Sequence, residues 1–247
     1  MIEVDLTSQE VMDEVSSLAK SRILAYGPAG SGKTHLAGST EGYIFDLDEH
    51  GYKTILKHGF KPKAVYHLGT CVNKRGENHP YKVYRKKFRE LINQLDSKEV
   101  VVTDSCTALS ELVLDYVIKK NKVVKPTQNE WGDIAKELVE LLTEAKYAKC
   151  TTLFIAHEVA IKNEVDGSVR YYPKFGSVPF SISVAQKFDE VWYASPSSQS
   201  KYVLYTTRDV QFFARTCRNL PATIPNNFKK IKELLKGGET AKSKPKQ

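Results

Sequence analysis

One segment constrains the fold of this chain more than any other: Gly27-Pro28-Ala29-Gly30-Ser31-Gly32-Lys33-Thr34, which fits the G-x-x-x-x-G-K-[ST] pattern of a phosphate-binding loop. The apolar run Ile23–Tyr26 before it predicts a buried strand, and the stretch 33–37 after it has no proline or glycine and predicts a helix start. A strand, a glycine-rich loop and a helix in this order surround a phosphate with backbone N–H groups at a helix N-terminus. The sequence therefore predicts a nucleoside triphosphate site in an α/β fold.

Each residue type in the loop has a predicted role. The glycines let the backbone curl around phosphate oxygens. Lys33 would reach the β- and γ-phosphates, and the Thr34 hydroxyl would ligate Mg²⁺. The predicted nucleotide contacts are Gly27, Pro28, Ala29, Gly30, Ser31, Gly32, Lys33, Thr34 and His35. ATP and Mg²⁺ are thus the expected ligands.

Composition narrows the class of protein. The chain has 247 residues, 41% of them hydrophobic and 27% charged, which is typical of a globular domain with a sizeable core. No window reaches 18 apolar residues and the acidic N-terminus resembles no signal peptide, so we expect a cytoplasmic protein without a membrane partner. The four cysteines show no C-x-x-C spacing, which argues against a disulfide framework or a cysteine metal site.

We expect one ATPase domain with two short flanking regions. A leader helix is predicted over Ser8–Lys20 within residues 1–20, the domain covers 21–236 with a basic insertion at 53–89, and the basic tail 237–247 is predicted to be disordered. Predicted strands alternate with predicted helices, which indicates a mostly parallel central sheet flanked by helices, with the nucleotide at the carboxyl ends of the strands.

The C-terminal half adds antiparallel elements to this prediction. A hairpin is expected over Val159–Tyr172, with Asp166-Gly167 as a type I′ turn. Glu190–Ala194 and Tyr202–Thr206 are predicted to be antiparallel edge strands, and Asn227–Lys236 to be the last helix.

Four side chains are candidates for the chemistry at the phosphates. Asp104 ends the apolar strand Val100–Asp104, where a Walker B acid would hold Mg²⁺, although it could instead cap the next helix. Asp48 and Glu49 follow the predicted strand Tyr43–Leu47 and could orient the attacking water, or be solvated turn acids. His157 follows the strand Thr152–Ala156 and could sense the γ-phosphate, or be a structural histidine.

Arginines near the C-terminus are candidates for a contact between subunits. Arg215 or Arg218, ahead of Arg208, could reach the γ-phosphate of a neighbouring subunit as an arginine finger. Contacts to nucleic acid and surface salt bridges remain open for the same residues.

The net charge of +8 is unevenly distributed. Between Lys53 and Arg89 there are eleven lysines and arginines and a single acid, Glu77. Two further loops combine cations with aromatic rings, a combination that suits single-stranded nucleic acid, although a solvated surface is the alternative. One loop carries Lys119, Lys120, Lys122 and Lys125, and the other carries Lys162, Arg170, Tyr171, Tyr172, Lys174 and Phe175; the predicted nucleic-acid contacts are these residues without Lys125 and Phe175.

Taken together, these stretches resemble a known family. The chain is similar to the phage-encoded RecA-like P-loop ATPases of the Sak single-strand-annealing and recombinase type, over residues 22–225. The matching stretches are 23–34, 45–48, 100–109 (Val-Val-Val-Thr-Asp-Ser-Cys-Thr-Ala-Leu), Trp131-Gly132, 155–158 (Ile-Ala-His-Glu) and 215–221. The resemblance implies a RecA-like core, ATP with Mg²⁺, binding of single-stranded DNA, and homo-oligomers with ATP at subunit interfaces. Asp48 stands where the RecA pattern has a catalytic glutamate, so hydrolysis is expected to be slow.

The leading hypothesis is a DNA-dependent ATPase that acts on single strands in phage recombination or replication, in the host cytoplasm and alongside a single-strand-binding protein. A P-loop nucleotide kinase is one alternative, with segment 53–89 as its lid. An ATP-gated helicase loader or scaffold protein is another.

Overall fold

The computed structural model describes Ser8 and residues 17–68, 79–196 and 202–242. The predicted leader helix lies largely outside these residues, and residues 17–20 within them form a bend and a turn. No helix of the described segments is long and apolar enough to cross a membrane.

The described residues form one nine-stranded sheet with the order β3-β2-β4-β5-β1-β7-β8-β9, and β6 pairs with β5 off this path. The strands are β1 (Arg22–Gly27), β2 (Tyr43–Asp46), β3 (Ala64–His67), β4 (Val100–Asp104), β5 (Thr151–Lys162), β6 (Val169–Pro173), β7 (Glu190–Pro196), β8 (Tyr202–Tyr205) and β9 (Thr223–Pro225). Strands β1 to β5 and β7 pair in parallel, whereas β6, β8 and β9 pair antiparallel to their neighbours.

Helices cover both faces of the sheet. They are α1 (Lys33–Ser39), α2 (Gly51–Lys57), α3 (Pro80–Gln94), α4 (Cys106–Asn121), α5 (Gln128–Lys146), α6 (Val178–Val184) and α7 (Phe228–Lys242). Successive residues of β1 point to opposite faces, so Leu24 and Tyr26 enter the core under α3 to α6, while Ile23 and Ala25 enter the core under α1, α2 and α7. This two-sided burial explains the continuous apolar runs of the parallel strands. The predicted α/β class with a mostly parallel, helix-flanked sheet is confirmed.

Two predictions about the C-terminal half were wrong. Strand β7 is not an antiparallel edge strand, because it pairs in parallel with β1 and lies between β1 and β8. The β5–β6 hairpin exists, but its connection is not a two-residue type I′ turn. It closes from Asn163 to Ser168, where the Asn163 N–H donates to the Ser168 carbonyl over 2.8 Å, and within it Gly167 but not Asp166 has a positive φ.

The segment 53–89, expected to be an insertion, contributes core elements instead. It supplies most of α2, all of β3 and the first two turns of α3, while 69–78 lies outside the described residues. Part of its positive charge is neutralised within the fold, since Arg85 bonds Glu140 and Glu144 of α5 at 3.0 and 2.9 Å. Helix α7 continues to Lys242, so the tail predicted to be disordered from residue 237 is partly helical. Residues 243–247 lie outside the described part.

Candidate functional site

The phosphate-binding loop lies at the carboxyl end of β1, between that strand and α1. Gly30 and Gly32 have φ angles of 77° and 82°, in the left-handed region that glycine adopts without steric cost. Strand β1 is flanked by β5 and β7, and Gly27 is in register with His157 on β5. The loop therefore opens beside the middle of β5, at His157, and close to the end of the neighbouring strand β4.

The Lys33 ammonium is held inside this loop. Its Nζ donates to the carbonyls of Gly27 and Pro28 over 2.9 and 2.7 Å, and only 6% of the residue is exposed. Burial lowers the pKa of Lys33, while the negative charges of Asp104, Glu158 and Asp48 act in the opposite direction. The lysine is thus a buried cation surrounded by carboxylates, at the position where the loop would receive phosphates.

Asp104 ends β4 beside this cation. Its carboxyl group is 4% exposed, and its burial together with the charge of Asp48 raises its pKa to about 7, although a hydrogen bond from Thr34 acts to lower it. The next residue, Ser105, is joined to it by a cis peptide bond and caps α4 by accepting a hydrogen bond from the Ala108 N–H over 3.2 Å. The capping role considered for Asp104 therefore belongs to Ser105, and Asp104 lies in the loop site.

Asp48 lies between Ser105 and His157. Its Oδ1 accepts a hydrogen bond from the Ser105 hydroxyl over 3.1 Å, and its Oδ2 lies 3.8 Å from Nε2 of His157. Burial acts to raise the pKa of Asp48, but hydrogen bonds from His157 and Ser105 and the charge of Lys33 lower it overall. Glu49, by contrast, is exposed and has a φ of 65°.

The donor set of this site fits ATP with Mg²⁺. A hydroxyl and a carboxylate are the oxygen ligands that Mg²⁺ takes from proteins when it shares the remaining positions with phosphates and water, and Thr34 and Asp104 supply them. Mg²⁺, when bound, neutralises charge on the phosphates. The buried carboxyl of Asp104 and the buried ammonium of Lys33 give opposite charges that suit the metal and the phosphates respectively.

Substitutions of the two acids that follow β2 are expected to have different effects on the rate of ATP hydrolysis. Asp48→Asn should lower the rate of ATP hydrolysis by about 10²- to 10⁴-fold, because it removes an ionised proton acceptor that is half-exposed beside Lys33. Glu49→Gln is the matched control and should change the rate less than about twofold, since its side chain lies exposed on the adjoining turn. Steady-state phosphate release measures both, and the reverse order of effects would assign the water-positioning role to Glu49.

Comparison with known families adds a second line of evidence. A family model described as "AAA domain" matches residues 19–217. The chain belongs to the AAA domain family. With the phosphate loop, this membership makes it a P-loop ATPase; the narrower resemblance to the Sak type is not part of what this match establishes. No curated protein sequence matches the AAA domain chain.

Two solved structures are similar to this AAA domain at low identity. One is described as a prototypical ATPase from the type III secretion system of pathogenic bacteria, with 13% identity, a TM-score of 0.44, and coverage of 72% of this chain and 52% of the other. The other is the assembled ATPase EscN from the type III secretion system of enteropathogenic E. coli, with 12% identity, a TM-score of 0.46, and coverage of 72% and 43%. The AAA domain chain thus spans about half the length of these chains or less.

The C-terminal strands of the AAA domain hold the phosphate loop from outside. Asn226 donates from Nδ2 to the carbonyls of Ser31 and Gly32 over 3.1 and 3.2 Å, and a Cβ on Gly32 would lie 2.6 Å from the ring of Tyr202. The contact of His35 with nucleotide stays a prediction; within the chain, its Nδ1 lies 2.9 Å from the Asn226 carbonyl oxygen and its ring packs against Phe60. We call Tyr202 and Asn226 the loop brace.

The arginine-finger role of Arg218 stays a prediction, and within this chain the side chain is held in a buried ion pair. Its Nη1 bonds Glu190 over 2.8 Å, and the two side chains are 6% and 0% exposed. Glu190 lies in register with Ile23 near the start of β1, so the pair is roughly 13 Å or more from the loop at a rise of about 3.3 Å per residue. Arg215 is exposed, but its guanidinium donates to the Phe188 carbonyl at the same amino edge. Both guanidinium groups therefore lie far from the phosphate loop of the same chain, and the Arg218 side chain is buried in the core.

The predicted nucleic-acid residues lie on two projections from the carboxyl edge of the sheet. The β5–β6 hairpin carries Lys162, Arg170, Tyr171, Tyr172 and Lys174 at or next to its strands. The chain passes from the C-terminus of α5 into β5 at the amino edge of the sheet. The N-terminus of α5 and the connection from α4 therefore lie towards the carboxyl edge. In the last helical turn of α4, Lys119 pairs with Asp115 over 2.7 Å and Lys120 lies 5.7 Å from the ring centre of Tyr116, while Lys122 and Lys125 belong to the α4–α5 connection.

Two contributors to the site were missed by the reasoning from sequence. Glu158 adds negative charge near Lys33 and accepts a hydrogen bond from the Tyr193 hydroxyl over 2.8 Å. Its position directly after His157 was a signal that could have been used, because both residues follow a buried strand at the sheet edge. The loop brace had no such signal, because Asn226 is 194 residues from Gly32 in sequence.

Proposed function

We propose that this ATPase is a switch on single-stranded DNA that acts in phage recombination or replication, by annealing or strand exchange. The observation that carries the proposal is the continuity of β5. This strand of 12 residues runs without interruption from the buried sheet, past His157 at the phosphate site, into the cationic and aromatic hairpin. A movement of His157 at the phosphate site would therefore be transmitted along β5 to the hairpin.

Contacts on both sides of His157 support this coupling. Its backbone N–H donates a hydrogen bond to the hydroxyl oxygen of Thr107 over 3.1 Å, and its carbonyl accepts a hydrogen bond from the Lys174 N–H over 2.7 Å. The Thr107 hydroxyl in turn donates to the Lys174 carbonyl over 3.0 Å. His157, which faces Asp48, is thus joined by two hydrogen bonds to Thr107 at the start of α4 and to Lys174 after β6, and a third hydrogen bond joins these two partners to each other.

The chemistry of the two projections suits a single strand. Lysine and arginine side chains follow the phosphate backbone of any sequence, and tyrosine rings stack on bases. The exposed cations Lys162, Arg170 and Lys174 lie on the same hairpin as Tyr171 and Tyr172. Homo-oligomers with ATP at the subunit interfaces, and a single-strand-binding protein as a further partner, complete the proposal.

The first experiment compares ATP hydrolysis with and without single-stranded DNA at low salt. We expect about tenfold stimulation by DNA, the size of a typical coupling between two sites, and no hydrolysis by Lys33→Ala. The absence of DNA binding in the presence of ATP would contradict the proposal. Phosphoryl transfer to nucleosides without stimulation by DNA would favour the nucleotide kinase instead.

A charge-removal variant tests the hairpin itself. Replacing Lys162, Arg170 and Lys174 with alanine should weaken DNA binding and reduce the slope of log affinity against log salt by about 2, because each lost phosphate contact removes about 0.7. The matched control replaces three exposed lysines elsewhere, Lys57, Lys61 and Lys149. Equal effects of the two triple variants would show that only net charge matters and would remove the hairpin from the interface.

A further inference from the structure

A cavity of about 630 Å³ lies beside the hairpin and is separate from the phosphate loop. It opens between β6, the segment 208–213, and helix α6 with the 3₁₀ turn that follows it. The residues that define its walls and mouth are Arg170, Tyr172, Gln186, Arg208, Gln211 and Phe213. Its volume falls within the roughly 300–1,000 Å³ of pockets that hold small molecules.

The lining combines rings with cations. Aromatic side chains come from β6 and from the segment 208–213, and Arg170 and Arg208 are both exposed. One acid, Asp209, also lines the cavity, but its Oδ1 accepts the Gln211 N–H over 3.1 Å within the turn. Asp166 at the hairpin tip is a second nearby acid, since the charge of Arg170 helps to lower its pKa. The arginine pair gives the lining a net positive charge, and the rings give it flat apolar surfaces.

Hydrogen bonds fix the walls of this cavity relative to the sheet. The buried Tyr26 hydroxyl donates to the Phe213 carbonyl over 2.7 Å and accepts the Phe213 N–H over 3.0 Å. The Tyr171 N–H donates to the Gln211 carbonyl over 2.7 Å, which joins β6 to the segment 208–213. Phe212 stacks on Tyr193 with ring centres 4.1 Å apart and planes 10° apart. The cavity is therefore preformed, which reduces the entropy lost when a ligand binds.

One of these contacts leads back to the phosphate site. Tyr193, on which Phe212 stacks, donates a hydrogen bond from its hydroxyl to the Glu158 carboxylate. The negative charge of Glu158 in turn acts to raise the pKa of Lys33. Tyr26 immediately precedes Gly27, the first residue of the phosphate loop. The segment 208–213 that lines the cavity is thus anchored on β1 and β7, and β1 leads directly into the phosphate loop.

We propose that this cavity binds one nucleotide unit, with the base against the aromatic wall and the phosphate on Arg170 and Arg208. The ligand chemistry is a nucleobase joined to a phosphate, either an unstacked nucleotide of a DNA strand or a free mononucleotide. The strand form rests on the function proposed above. It adds to that function a subsite that recognises bases, whereas the cationic projections recognise only the backbone.

The test compares an oligothymidine strand with an abasic strand of equal length and charge. Wild type should bind the thymidine strand about tenfold more tightly, because stacking of a base on aromatic side chains has an effect of this order. Gln186→Trp, at an exposed position of the 3₁₀ turn, should fill the cavity and reduce the ratio towards one. Arg208→Ala should weaken binding of the thymidine strand, and Arg208→Lys, which keeps the charge, should restore part of it. Lys149→Ala, which removes an exposed charge at the amino edge, should leave the ratio unchanged.

A second measurement separates this inference from the proposed function. Thymidine monophosphate is titrated against the protein with the phosphate loop saturated by a non-hydrolysable ATP analogue, and binding is followed by ligand-detected NMR. Equal binding of both strands by wild type, with no signal for the monophosphate, overturns the subsite while the DNA-dependent ATPase stands. Failure to bind either strand, with monophosphate binding that Gln186→Trp abolishes, rejects the single-strand function and supports the free nucleotide as the ligand. A base preference that Gln186→Trp and Arg208→Ala leave intact also overturns the subsite.

Discussion

Replacing Arg218 with alanine is expected to lower the free energy of unfolding by about 3–5 kcal/mol, because it would leave the fully buried carboxylate of Glu190 without its charged partner. Glu190 also accepts hydrogen bonds from the Trp192 indole and the Cys217 N–H, both over 3.0 Å, so its position cannot easily change. Arg218 further bonds Ser21 at the start of β1. Urea unfolding of the nucleotide-free protein, followed by circular dichroism, measures the change.

The control for this prediction is Arg89→Ala. Arg89 also bonds a carboxylate, Glu144, but its side chain is 54% exposed, so we expect a loss below about 1 kcal/mol. Similar small losses for both variants would show that the buried pair contributes little to stability. A stable Arg218→Ala protein with greatly reduced hydrolysis would support the arginine-finger interpretation.

Asp104→Asn is expected to lower ATP hydrolysis by at least about a hundredfold, while the nucleotide-free protein keeps or gains stability. The first effect follows from the loss of the carboxylate that would hold Mg²⁺ beside Thr34. The second follows from burial, which disfavours the ionised carboxyl and raises its pKa, so that a neutral amide of the same size removes an unfavourable charge. Phosphate release and thermal unfolding without nucleotide measure the two effects.

Asp115→Asn provides the comparison for Asp104. This carboxylate is 47% exposed and bonds Lys119 on α4 and His79 over 2.7 and 2.8 Å; its replacement should affect neither hydrolysis nor stability beyond about 1 kcal/mol. A marked loss of stability in Asp104→Asn would show that its carboxylate is needed for the fold itself. Hydrolysis within a few-fold of wild type would remove Asp104 from the metal site.

Local sequence patterns were sufficient for the elements that carry the phosphate site. The glycine-rich loop, the apolar strands and the acids at their ends are encoded in short stretches, and parallel topology then brings the strand ends together. That reasoning located Lys33, Asp48, Asp104 and His157 around one loop, as the contacts among them show. The interaction of Asp48 with both Ser105 and His157 was consistent with a role at the phosphates rather than in a solvated turn.

Other features depend on contacts between distant parts of the chain, which local patterns do not encode. Arg218 and His35 were assigned from residue type, but their environments depend on partners more than 170 residues away in sequence, Ser21 for one and Asn226 for the other. Strand β7 was misjudged because pairing direction depends on the neighbouring strand and not on its own composition. The charge of segment 53–89 was also misleading, since α5 supplies the acids that neutralise Arg85.

The loop brace has a consequence for how the boundaries of this protein are drawn. The family match ends at residue 217, yet Tyr202 belongs to β8, and Asn226 follows β9 beyond that limit. A fragment that stopped at the edge of the match would lose β9, α7 and the amide that fixes two carbonyls of the phosphate loop. The part of the chain that shapes the phosphate loop is therefore longer than the matched residues 19–217, because it includes β9 and the residue that follows it.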